Sequence, residues 1–199
     1  MTQNANGSSD AARARGLVMA LLITTFFGAL WGMVGAFALP GIWSPTAIGL
    51  VILVTVALLL GVTLLLRISR SLPPAASGKA GTNPFVTGPY RLAILFEVIA
   101  IPLTAAVLNK SGYPGAVVSS VAVIVGLHFF GLIPAFKSRR FAVIGGTMVL
   151  VGLVSLLLPT GTETSPRSAF VGLGCALVLW FSAFPSLFSV LRQTGMRPG

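Results

Sequence analysis

Acid, histidine and cysteine are almost missing from this chain. Its 199 residues hold three Asp or Glu, one His and one Cys. A lone cysteine, Cys175, excludes an internal disulfide and any thiolate cluster. Zinc sites draw on three or four protein ligands. His128, Cys175 and the scattered acids Asp10, Glu97 and Glu163 do not make such a set, so no metal, haem or other cofactor is expected. The sequence also lacks a Ser–His–Asp grouping, a phosphate-cradling glycine loop and a redox cysteine pair, and nothing in it points to an enzyme.

Charge is scarce as well. Charged residues make up 8% of the chain and hydrophobic ones 55%, whereas soluble domains carry ~25% charge. Apolar runs cover about residues 17–39, 46–66, 92–108, 115–136, 141–158 and 169–191, and several reach the ~18 residues that mark a spanning helix. The prediction is an all-α, polytopic integral membrane bundle of six transmembrane helices arranged as three hairpins. No length remains for a separate soluble domain. Residues 1–16 and 192–199 read as polar tails. Arg13 and Arg15 before the first run, with Ala36-Phe37-Ala38 at its end, imitate a signal peptide. The run is much longer than the ~7–15 residues of a signal core, so an uncleaved first span is expected.

What charge there is has one sign, a net +10. With the N-terminus in the cytoplasm, one side collects Arg13, Arg15, Arg67, Arg70, Lys79, Arg91, Lys137, Arg139, Arg140, Arg192 and Arg197. The other side keeps Lys110 and Arg167. Short cytoplasmic loops are enriched in Lys and Arg. The split therefore predicts a multi-pass protein of the plasma membrane with both termini cytoplasmic, and it explains the basic balance without nucleic acid. Loop 67–89 is broken by Pro73, Pro74, Gly78, Gly81, Pro84, Gly88 and Pro89. It reads as a solvated basic loop within reach of anionic lipid head groups. No protein partner is indicated.

Small residues recur at helical spacing: Gly28, Gly32 and Ala36 in the first run, Gly145 and Gly152 in the fifth, Gly172 and Ala176 in the sixth. Such stripes let helix backbones approach closely, and packing inside the chain's own bundle is expected of them. Trp43 suits an interface anchor. Phe96, Phe129, Phe130, Trp180 and Phe181, like Trp31, read as packing or lipid contacts.

Two side chains stand apart. Glu97 is the one acid inside an apolar run, and His128 is the one histidine. Glu97 lies six residues past Arg91, roughly 9 Å into its helix at ~1.5 Å per residue. His128 lies nine residues before Lys137 on the returning helix, roughly 13 Å from the same face. Similar depth on neighbouring antiparallel helices permits contact. A carboxylate inside hydrocarbon costs at least ~2.5–3.5 kcal/mol on insertion scales, so Glu97 should face the bundle interior and either be protonated or have a partner, for which His128 is the best local candidate. Thr24, Thr147 and Ser186 count to about the same level and, if turned inward, would complete a small polar chamber. Pro102, Pro134 and Pro185 free backbone groups near it.

The run Val125-Gly-Leu-His-Phe-Phe-Gly-Leu-Ile-Pro-Ala-Phe136, followed by a basic turn and preceded by an acid one span earlier, resembles a pattern in small multi-span bacterial membrane proteins of unassigned function. That resemblance implies a membrane bundle and no particular activity. Two function classes follow from the residues. One is a small proton-coupled transporter or carrier built around Glu97 and His128. The other is a non-catalytic membrane scaffold that binds a partner or lipid.

Overall fold

The computed structural model describes the backbone of residues 3–71, 85, 87–160 and 165–195, and the side chains of 18–67, 85, 87–160 and 165–184. Six α-helices follow one another: α1 (Gln3–Phe37), α2 (Trp43–Ser71), α3 (Gly88–Lys110), α4 (Val117–Phe136), α5 (Arg140–Ser155) and α6 (Pro166–Gly195). No strand occurs among the described residues. Five helices are long and apolar enough to cross a membrane. The sixth, α5, has 16 residues, or roughly 24 Å at ~1.5 Å per residue, against a hydrocarbon core of ~30 Å.

Helix ends differ from the sequence expectation where local chemistry intervenes. α1 begins at Gln3, so most of the segment read as a polar tail has helical backbone. Ala11, Ala12 and Ala14, strong helix formers, carry the first span's helix toward the N-terminus. α5 stops at Ser155 rather than Leu158, because Pro159 disfavours helical backbone at the residue before it and the last carbonyls turn to Arg167. At the other end of α5, Lys137 takes a left-handed conformation (φ 50°) that ends α4, and Arg139 opens α5.

The three sequential hairpins are not the tightest pairings. α1 packs most closely on α6, and α4 on α5, while α1–α2, α3–α4 and α5–α6 touch less extensively. The bundle thus divides into two halves, α1–α2–α6 and α3–α4–α5, joined where α6 meets α5 and α4. Glycine decides which helices come closest. A methyl group on Gly126 of α4 would stand 2.7 Å from the Gly145 carbonyl oxygen of α5, and one on Gly152 would stand 2.8 Å from the Ser119 carbonyl oxygen. Across the other half, Gly35 of α1 meets Gly172 of α6 backbone to backbone. Gly28 and Gly32 face Trp180 of α6 and Val51 of α2, so this stripe is spent inside the chain's own bundle. Lipid tails are as apolar as leucine, which leaves close packing and hydrogen bonds to hold such helices together.

The core lies mostly in the α1–α2–α6 half, with Leu21, Ala36, Leu58, Val62, Cys175 and Leu179, and it reaches Ala122 of α4 and Met148 of α5. On the same seam the Thr25 hydroxyl and the Trp180 indole N–H are buried without a hydrogen-bond partner among the described residues. Elsewhere threonine hydroxyls donate to their own helix: Thr55 to the Val51 carbonyl and Thr63 to that of Leu60. Trp43 is exposed at the start of α2, as an interface anchor would be. The outer faces of α2 and α3 are continuous leucine, isoleucine and valine, a surface suited to hydrocarbon.

Arg167 ties three helix ends together. Its Nε and Nη2 donate to the Leu158 carbonyl at 3.0 and 2.7 Å, and Nη2 also reaches the Leu156 carbonyl at 3.0 Å. Nη1 lies 3.4 Å from the carbonyl of Gly115, in the 3-10 turn Pro114–Ala116 that leads into α4. The last carbonyls of a helix have no partner within it. A cation there satisfies them and complements the negative end of the helix dipole. One of the two cations that the loop-charge count left on the sparse side therefore has a structural post.

Candidate functional site

Glu97 and His128 meet. His128 Nδ1 lies 3.2 Å from Glu97 Oε2 and 2.9 Å from the carbonyl oxygen of Ala93. Ala93 sits one turn before Glu97 on α3, so one ring nitrogen faces two acceptors on the same helix. A carbonyl oxygen only accepts. Nδ1 therefore carries the hydrogen and donates it to the Ala93 carbonyl, with the Glu97 carboxylate oxygen close beside the same nitrogen. The imidazole is buried, at 8% side-chain exposure, and the carboxylate half-buried at 20%.

The local sequence explains the approach. Gly131 of α4 faces Ala93, and a methyl group there would come within 2.9 Å of the Ala93 Cβ. Two small residues let α3 lie against α4 one turn from His128. α3 and α4 continue through Pro102 and Pro134, and neither proline breaks its helix.

The exposed edge of Glu97 looks into a groove of about 280 Å³ between the two halves. Its α1 wall is Phe27, Leu30, Trp31 and Val34, a stripe at i, i+3, i+4 and i+7. Val117, Val118, Val121 and Val125 form the α4 wall, and Ile101 joins Glu97 on α3. Glu97 is the one polar side chain among these lining residues. All four valines precede His128 along α4, so the groove runs from the α3–α4 turn inward to the Glu97–His128 pair.

Beyond the pair, toward the basic end, aromatic rings fill the space. His128 contacts Phe129 edge-on, Phe129 stacks on Phe141, and Phe141 meets Phe136 with ring centres 5.1 Å apart. Phe85 and Tyr90 pack edge-on against Phe136 and against each other. The site is open along the groove, and packed rings lie between it and Lys137, Arg139 and Arg140.

Thr24 and Thr147 are not brought to the pair. Thr24 turns its hydroxyl back to the Ala20 carbonyl at 2.7 Å, and Thr147 to that of Val143 at 2.8 Å. Thr147 is exposed on the outer face of α5. A spanning helix offers a threonine its own i−4 carbonyl, and no oxygen of Glu97 or His128 competes for these two. Ser186 and Pro185 lie outside the described side chains, as do Asp10, Arg13, Arg15, Arg70, Lys79, Glu163, Arg192 and Arg197. Phe96, Phe130 and Phe181 are exposed on the outer surface, Trp180 is core, and Trp31 lines the groove.

A second polar pair was not foreseen. The fully buried hydroxyls of Ser119 on α4 and Ser155 on α5 lie 2.7 Å apart, and Ser155 Oγ is 2.6 Å from the Gly152 carbonyl oxygen. With the Ser155 hydrogen directed at that carbonyl, Ser119 donates to Ser155. The pair completes the α4–α5 seam beside Gly152 and does not touch the groove. Groups of three or more His, Cys, Asp or Glu able to hold a metal ion do not occur among the described residues.

Comparison with known proteins finds no matching family model, no matching curated protein and no matching solved structure.

Proposed function

We propose that this chain is a six-span integral membrane protein, with both termini on the cytoplasmic side, that works as a small proton-linked carrier centred on Glu97 and His128. One observation carries the reading: the carboxylate is not walled off but forms the polar end of an open groove between two helical halves. A pair that served only to fix helix register needs no such opening. Intramembrane acids are costly, and where they face a cavity they mark ion and substrate paths.

In this reading the carboxylate exchanges a proton for a solute, and the Nδ1–H of His128 holds it in place during the exchange. Access alternates by rocking one half against the other around the site, as in other small carriers. The rings between His128 and Lys137 close one side while the groove opens the other. The basic end then lies at the cytoplasmic surface by the loop-charge rule, beside anionic head groups. A short α5 is accommodated by thinning the bilayer locally or by tilting its longer neighbours.

The scaffold reading keeps one observation in its favour, the apolar outer face of α3, which packs chiefly on α4. The two readings separate in proteoliposomes loaded with a pH-sensitive dye and challenged with cationic, anionic and neutral solutes. A carrier moves protons in response to at least one solute class, and Glu97→Gln abolishes that movement while the protein stays folded. Absence of solute-driven proton movement with every class, or an undiminished response in the folded variant, refutes the carrier.

A further inference from the structure

The groove specifies the class of its occupant. Resting on the carrier reading of the same site, we infer that it takes a lipophilic ammonium ion: a compact apolar body carrying a positively charged nitrogen, entering sideways from the bilayer.

Apart from Glu97, every lining residue is hydrocarbon or aromatic, so the body of the ligand is apolar. Hydrophilic solutes would lose their hydration on entry and gain nothing for it. The opening lies between α1 and the α3–α4 pair, which do not pack closely on each other. Phe27, Leu30 and Val34 at its edge are themselves exposed on the outer surface, so a molecule dissolved in the bilayer reaches the groove without crossing water.

The polar end supplies the sign. An ionised carboxylate has acceptor positions and no donor. His128 lies against one oxygen, Oε2, and Glu97 makes no other ion pair or side-chain hydrogen bond among the described residues. Neighbouring helices bring no cation to this point: Arg91 and Tyr90 are at the start of α3, Lys137 lies past the end of α4, and Arg167 is committed to carbonyls at the opposite end. The Nδ1–H of His128 is already given to the Ala93 carbonyl. An anionic head group therefore meets repulsion at the carboxylate, whereas an ammonium group pairs with it. The pairing is strong because the walls exclude water from it. An acyl chain also fits the walls, but it leaves the carboxylate uncompensated.

Size is bounded as well. A cavity of about 280 Å³ sits at the lower edge of the ~300–1,000 Å³ typical of ligand sites. A single compact ring system fits it, and a large dye does not. Trp31 in the α1 wall gives the aromatic face on which cations are held favourably.

The test uses three ligands with one body and different heads: adamantylammonium, adamantanol and adamantane carboxylate. Binding to the full chain in lipid nanodiscs is followed by calorimetry and by tryptophan fluorescence. The ammonium form should bind about ten- to a hundredfold more tightly than the alcohol, the carboxylate should not bind, and Glu97→Gln should erase the preference. A second variant, Val121→Trp, fills the groove and leaves Glu97 intact. It should block the ammonium and the alcohol alike. Equal binding of the three heads, or a preference that survives Glu97→Gln in folded protein, overturns the ammonium assignment. Occupancy by co-purified lipid that adamantylammonium cannot displace overturns it too.

A flux arm keeps this inference apart from the carrier reading. The permanently charged trimethyladamantylammonium, which has no proton to lose, is added to dye-loaded proteoliposomes. Glu97-dependent ammonium binding without proton movement leaves the ligand class standing and overturns the carrier. Proton movement driven by other solutes, with no ammonium preference in binding, does the reverse.

Discussion

His128 Nδ1 on α4 lies 3.2 Å from the Glu97 carboxylate on α3 and donates to the carbonyl of Ala93, one turn earlier on that helix, at 2.9 Å. The two contacts hold the ring against α3. Removing the ring leaves a half-buried carboxylate with no polar partner among the described residues, while replacing both side chains by leucine leaves neither group unpaired. His128→Leu should therefore destabilise the protein by about 2 kcal/mol, and Glu97→Leu/His128→Leu by less than the two single changes added together, with a coupling of about 1 kcal/mol. Reversible unfolding in mild detergent or bicelles measures all three. Strict additivity would mean that the pair is not an energetic unit.

The α4–α5 seam gives a sharper contrast within one helix. Gly145 faces the Gly126 carbonyl and Phe129, whereas the next residue, Gly146, has Phe130 as its nearest neighbour at 3.8 Å. Gly145→Val should separate the helices and cost about 2–3 kcal/mol. Gly146→Ala meets only ordinary contact and should be neutral or stabilising by up to about 1 kcal/mol through helix propensity. Thermal unfolding of the two variants side by side tests the packing directly.

Arg167 should be intolerant of change despite its place at a loop. Arg167→Ala removes charge-assisted hydrogen bonds to the carbonyls of Leu156, Leu158 and Gly115, with an expected loss of about 2–3 kcal/mol. Lysine supplies the charge without the fork, so Arg167→Lys should recover less than half of that. Hydrogen exchange at the end of α5 should rise in both variants, and an unchanged exchange pattern would contradict the proposed cap.

Thr25 offers a change in the opposite direction. Its hydroxyl is 1% exposed and unpaired among the described residues, unlike those of Thr24, Thr55 and Thr63. Thr25→Val keeps the shape and removes the unsatisfied group, so stability should rise by about 1 kcal/mol. A fall in unfolding temperature would show that the hydroxyl has found a partner, such as a buried water.

Much of this architecture was legible in the sequence, and the limits have physical causes. Apolar runs mark spanning helices because the bilayer forces every backbone group to be satisfied within its own segment. Counting residues from Arg91 and Lys137 placed Glu97 and His128 at one depth because helical rise is nearly constant. Depth does not fix rotation, however. Thr24 and Thr147 share the level but turn to their own carbonyls. The groove was invisible for a related reason: Phe27, Leu30 and Val121 read as lipid-facing or core residues alike, since both environments are apolar. Pairing of α1 with α6 was also hidden. Gly28, Gly35 and Gly172 announce a close contact without saying with which helix.

The central claim is that Glu97 takes up and releases a proton inside the membrane while paired to His128. Infrared difference spectroscopy of the full chain in lipid nanodiscs, stepped between acidic and alkaline buffer, reads that carboxyl directly. A reversible carboxyl band should appear and disappear, be absent in Glu97→Gln, and change in frequency or width when His128 is replaced by glutamine. A Glu97 carboxyl whose band does not respond to the step, in protein that remains folded, would contradict the claim and leave the pair as a structural clasp between α3 and α4.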